Sequence, residues 1–199
     1  MALKLYYVSR TRSSRPRWLL EEMELPHELI RIDPKHTPEG YEKIHPLSHV
    51  PVLIDGDTTI FESAAICLHL ADKVGEPRFS PATGTPERAH YYQWLFYGAT
   101  ELEPHLVTYA AENRRPEGEK SAPALDAARF RVQAAFAPLE ALLKEHEFLV
   151  GKTFTAADVV VGSLLEWAKS LRLAAAFPRI SAYSDRLRER PAAVRALKD

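Results

Sequence analysis

His49-Val50-Pro51-Val52-Leu53-Ile54-Asp55-Gly56-Asp57-Thr58-Thr59-Ile60-Phe61-Glu62-Ser63 is the stretch from which the fold of this chain can be read. Two short runs rich in β-branched and apolar residues, 52–55 and 58–61, flank the turn pair Gly56-Asp57, the pattern of a two-residue hairpin. Pro51 has no N–H to give a ladder, so it marks a strand start where the chain turns. Ser63 is a natural N-cap, and residues 64–74 follow with helical spacing as far as the stop signal Gly75-Glu76-Pro77.

Working toward the N-terminus, Glu28–Ile32 alternates as a strand, Trp18–Met23 is helical in pattern and Leu3–Val8 is another strand. With a short irregular helix near residues 39–44, the order is β-α-β, helix, β-β-α. A βαβ unit sets its two strands parallel through a right-handed crossover, and the hairpin extends that sheet antiparallel.

Toward the C-terminus the grammar changes. Five alanines lie in residues 1–84 and 22 in residues 85–199, and alanine is the strongest helix former. The expected division is a first domain over 1–76, a linker over 77–84 and an all-helical domain over 85–199. Thr85 with Pro86 gives a helix start. Tyr92, Leu95, Phe96, Ala99, Leu102 and Leu106 form one apolar stripe. A second is Leu125, Ala128, Val132, Ala135, Phe136, Leu139 and Leu143. Residues 159–168 are apolar nearly all round, which predicts a central buried helix, with Thr155 and Asp158 as its capping box. Residues 179–190 close the bundle.

The 26 basic and 27 acidic residues give a net charge of −1, which argues against bulk nucleic-acid binding. No apolar run approaches the roughly 20 residues of a membrane span, and the start lacks signal-peptide character, so a cytoplasmic protein is expected. A single cysteine, Cys67, excludes an intrachain disulfide and CxxC chemistry, and its apolar helical setting predicts buried packing. His45 and His49 are four apart without an HExxH helix, so a zinc protease is not indicated, and GxSxG is absent.

Three clusters carry candidate chemistry. Residues 9–17, Ser-Arg-Thr-Arg-Ser-Ser-Arg-Pro-Arg, place hydroxyls and four arginines at a helix N-terminus. Ser13 or Ser14 as a cap explains one hydroxyl. Cations crowded where the macrodipole opposes them point to a bound anion. Val50-Pro51, if cis, would offer the Val50 backbone to an extended peptide, and if trans is an ordinary strand start. Glu62-Ser63 matches an amino-acid head group, carboxylate on the helix amides and ammonium on Glu62, while Ser63 alone reads as a cap.

The order of these signals, with Pro46-Leu47-Ser48-His49-Val50-Pro51-Val52-Leu53, Glu62-Ser63-Ala64-Ala65-Ile66, Trp94–Tyr97, Glu101–Pro104 and Gly151-Lys152-Thr153-Phe154-Thr155-Ala156-Ala157-Asp158, resembles the glutathione transferase superfamily from Leu3 to about Leu197. The resemblance implies an α+β thioredoxin-like domain (βαβαββα) followed by an all-α bundle. It also implies glutathione as co-substrate, no metal, and a homodimer formed through the first helix of the bundle. Val50 beside a cis Pro51 would bind the cysteinyl backbone, and Glu62 and Ser63 the γ-glutamyl end. His49, where lysine is common, and His36 would be near the glycyl carboxylate, with Arg12 a further glutathione-facing group. Thr11 matches the catalytic serine of theta- and delta-like classes, with Ser9 and Ser13 as rivals. Arg12 stands where isomerase and beta-like classes carry cysteine, against thiol exchange through the protein. Tyr97, Tyr109 and Trp167 are the expected electrophile-pocket aromatics, with bundle core the preferred reading of Trp167. The implied reaction is attack of a glutathione thiolate on an electrophilic carbon or a peroxide. A transferase-fold binding or regulatory protein without catalysis is the alternative.

Overall fold

The computed structural model describes residues 3–74 and 78–198, so the expected stop at residues 75–77 lies outside the described residues. Leu3, Leu5 and Tyr7 alternate inward along β1 (Leu3–Tyr7), and Lys4 points out. The chain continues through α1 (Ser14–Glu22), β2 (His27–Arg31), a 3₁₀ turn at Tyr41–Lys43, β3 (Val52–Asp55), β4 (Thr58–Phe61) and α2 (Ser63–Lys73). The sheet order is β2-β1-β3-β4. β1 runs parallel to β2, and β3 lies antiparallel to both β1 and β4. The hairpin has the bounds expected from its sequence, with Gly56 taking the positive φ of 61° that its turn requires.

Contacts divide the chain into two compact units, one running through Ser80 and resuming at Glu189, the other Pro81–Arg188. The last stretch was expected inside the helical domain. Instead, while α7 (Pro178–Arg188) covers most of residues 179–190, the residues beyond it form α8 (Pro191–Ala196), and α8 packs on α1. Pro191 is the physical reason: it suits a first helical turn and breaks a helix interior. Arg190 then donates two bonds to Glu22 (2.6 and 2.8 Å), and Arg195 Nε pairs with Glu21 at 2.6 Å.

The helical unit holds α3 (Pro86–Tyr97), a π-helical turn (Gly98–Leu102), α4 (Glu103–Asn113), a 3₁₀ turn at Glu117–Glu119, α5 (Ala122–Leu142), α6 (Ala156–Ser170) and α7. Thr85 caps α3, accepting the Arg88 N–H at 3.2 Å. The expected stripe fails at its start. Phe96 is 64% exposed and Tyr92 is also out, while Tyr91, Trp94 and Leu95 face the core. The extra residue of the π turn moves the inward face back by one position, so Tyr92 and Ala99 give way to Tyr91 and Gly98, Leu95 stays inward and Phe96 is turned out. Gly98 fits because a Cβ there would stand 3.2 Å from Val161 Cγ2 and 3.4 Å from Leu164 Cδ1 on α6. Helix α6 is the buried centre, and its capping box is formed as read. Its Asp158 also binds beyond the cap: the Leu149 N–H donates to it at 2.9 Å and the Tyr183 hydroxyl at 2.5 Å.

Candidate functional site

The sheet register brings the three clusters of the first unit to one end. Tyr6 pairs with Val52, so the segment after β1 leaves the sheet beside Pro51. Val52 pairs with Phe61, so Glu62 leaves it on the other side of Pro51. Beneath them Ile32, Tyr41 and Val52 form a small core against which Tyr6, Val8, Ile44 and Val50 pack. The Val50-Pro51 bond is cis. The Tyr41 hydroxyl donates to the His49 carbonyl at 3.0 Å, and its burial pushes its pKa up to about 12, keeping it a neutral donor.

Glu62 and Ser63 differ in exposure and strain. Glu62 is exposed at φ 72°, ψ 113°, a conformation that L-residues avoid, whereas Ser63 is buried as the first residue of α2. Such strain persists where surrounding structure enforces it and clusters at functional positions. Ser63 therefore does not cap its helix. Its Oγ instead accepts from Arg15 Nη1 at 3.0 Å.

That bond revises the reading of the arginine cluster. Arg15 and Arg17 are buried rather than solvated: Arg17 lies 5.3 Å from the Tyr7 ring centroid and also reaches the Arg195 carbonyl. Arg10 and Arg12 are the exposed pair. The expected serine cap is also absent. Ser13 occupies the N-cap position without a capping bond, and Ser14 Oγ donates to the Thr11 carbonyl at 2.6 Å.

The three candidate hydroxyls occupy different environments. Thr11 is exposed, donates to the Val8 carbonyl at 2.7 Å and lies 3.0 Å from Ser13 Oγ. Ser13 is buried and accepts the Val8 N–H at 3.4 Å. Ser9 Oγ is buried with no partner among the described residues. His45, which sequence reasoning weighed only as a zinc ligand, is 5% exposed and packs on His49 and Phe61 at ring separations of 5.5 and 4.9 Å. His45 Nδ1 accepts the Leu47 N–H at 3.1 Å, and burial, reinforced by His49, lowers the His45 pKa. His36 is exposed and bound to Asp33 at 3.0 Å.

Within the helical unit the candidate aromatics separate. The Tyr97 hydroxyl donates to the Ala135 carbonyl at 2.9 Å beside a cavity of about 480 Å³. Tyr109 lines a different cavity with Arg129. Trp167 is half-buried on α6. Cys67 is fully buried and its thiol pKa is pushed up to about 12, so it is no nucleophile. Among the described residues there is no group of three metal-ligating side chains, and no helix is long and apolar enough to cross a membrane.

Family profiles match both units: the glutathione S-transferase N-terminal domain over residues 11–73 and its C-terminal domain over residues 88–191. Glutathione S-transferase 3 of Schizosaccharomyces pombe is 30% identical over 77% of this chain and 69% of its own length. The disulfide-bond oxidoreductase YfcG of Escherichia coli is 27% identical over 98% of this chain and 94% of its own length. The crystal structure of the Phanerochaete chrysosporium transferase URE2P6 with oxidized glutathione superposes with a TM-score of 0.88 at 28% identity, covering 98% of this chain and 94% of that one.

Proposed function

This chain belongs to the glutathione S-transferase family, and from that premise we propose that it holds glutathione as a thiolate for attack on an electrophilic small molecule. The observation that carries the reading is Glu62 in a strained conformation next to buried Ser63, at the sheet end where the segment after β1 and the cis Val50-Pro51 bond meet. Glu62 supplies a carboxylate to the γ-glutamyl ammonium. Ser63 Oγ accepts from Arg15 and so has its own proton to give the γ-glutamyl carboxylate. The Val50 backbone pairs with the cysteinyl residue as an added strand. His49 and Arg12, both exposed, serve the glycyl carboxylate, and His36 takes no part because Asp33 engages it.

Thr11 is the hydroxyl we assign to the sulfur. It is the exposed one of the three, and its proton needs only to turn from the Val8 carbonyl to an arriving thiolate. A thiol pKa depressed by two units corresponds to about 2.7 kcal/mol favouring the anion, within reach of a hydroxyl donor and a helix N-terminus. Exposed Tyr92 and Phe96 give α3 an apolar outer face that suits a homodimer.

The test is an ultraviolet titration of the enzyme-bound glutathione thiol. A pKa at least about one unit below the free value near 8.5, returned toward that value by Thr11→Ala and kept low by Thr11→Ser, supports the assignment. An unshifted thiol in the wild type leaves a binding protein without catalysis.

A further inference from the structure

A polar cavity of about 340 Å³ opens in the helical unit, lined by Tyr109, Asn113, Arg129, Ser170, Leu171 and Arg172. The end of α4, the body of α5 and the turn that closes α6 supply it. No carboxylate is among its lining residues. Arg129 is held in place there: its guanidinium lies 5.8 Å from the Tyr109 ring centroid, and Nη2 donates to the Tyr109 hydroxyl at 3.3 Å.

Arg129 and Arg172 are both exposed, and among the described residues neither forms an ion pair with an acid. Attraction to a helix C-terminus accounts for Arg172, just beyond α6. It does not account for Arg129, in the interior of the 21-residue α5. Arg172 also takes φ 59°, a position where glycine is the usual helix terminator. The last carbonyls of α6 are already occupied, since Lys169 O accepts the Arg172 N–H at 2.9 Å and Trp167 O accepts Ser170 Oγ at 2.7 Å. Two exposed guanidiniums that pair with no acid among the described residues thus share one cavity with a hydroxyl, a carboxamide and an aromatic ring.

We propose that this cavity binds a carboxylate-bearing aromatic compound, with Arg129 and Arg172 as its counterions. The anion site rests on the cavity alone and does not depend on the transferase reading.

The test compares matched charged and neutral probes on the whole protein. In a fluorescence titration, 4-nitrobenzoate binds saturably and 4-nitrobenzamide at least about tenfold more weakly, the scale of hydrogen bonds to charged groups. Arg172→Gly, which gives the left-handed position its preferred residue, and Arg129→Gln, which keeps an amide donor for Tyr109, together remove that difference. Equal binding of the two probes by the wild type, or a difference surviving in the double variant, overturns the proposal.

Discussion

Arg15 Nη1 donates to Ser63 Oγ at 3.0 Å, tying the first turn of α1 to the first residue of α2 across 48 positions of sequence. The guanidinium is itself buried. It fixes the direction in which the Ser63 hydroxyl points its own proton, and so acts on the site through another residue. Replacing Arg15 by Met is expected to weaken glutathione binding about tenfold, as one charge-assisted hydrogen bond would. Calorimetric titration measures this, and unchanged affinity would show that Ser63 needs no such orientation.

Glu62 sets stability against binding. At φ 72° a non-glycine residue carries roughly 1–3 kcal/mol of strain. Glu62→Gly is therefore expected to leave the urea midpoint equal or higher, despite the added freedom of the unfolded chain, while retention on immobilised glutathione is lost. A variant that is both less stable and still retained would contradict both roles given to this side chain.

The pH dependence of stability should carry the mark of His45. Burial, with His49 adding to it, lowers its pKa in the folded state, and the Leu47 N–H bond requires an unprotonated Nδ1. Above the unfolded histidine value near 6.5 both states are neutral and this contribution is fully present. As pH falls below that value, the unfolded chain takes up the proton first and stability is lost. Chemical denaturation at pH 7.5 and pH 5.5 should show the decline, and His45→Asn, which keeps an acceptor for Leu47, should reduce it.

Asp158 collects four donated bonds in a fully buried setting, from Thr155 N–H and Oγ1, Leu149 N–H and the Tyr183 hydroxyl. Asp158→Ala strands several buried donors at once. A loss of about 3 kcal/mol or more is expected, read from urea denaturation, with Asp158→Asn intermediate because one acceptor oxygen remains.

Cys67 should resist thiol reagents in the native protein. With its thiol pKa at about 12 and no exposed surface, Ellman's reagent is expected to label it only after unfolding. Rapid labelling of the folded protein that glutathione slows would place Cys67 at the site instead.

Local chemistry settled much of this protein in advance. The Gly56-Asp57 hairpin, the Thr85-Pro86 start and the Thr155–Asp158 box are each written in neighbouring residues, and the structure reproduces them. So is the placing of Glu62-Ser63 where a strand gives way to a helix, because hydrogen bonds between near neighbours depend on spacing alone. What tertiary structure decided is which partners distant groups find. The π turn at Gly98–Leu102 rotated the stripe expected at Tyr92 and Phe96 out of the core, because Gly98 lies close against Val161 and Leu164 of another helix. Arg15 and Arg17, read as part of an anion-attracting cluster, turned inward to Ser63 and Tyr7, and His45 became part of the site only by stacking on Phe61. Those contacts join residues far apart in the chain, and a charge or ring has no preferred partner until the folded backbone brings one within reach.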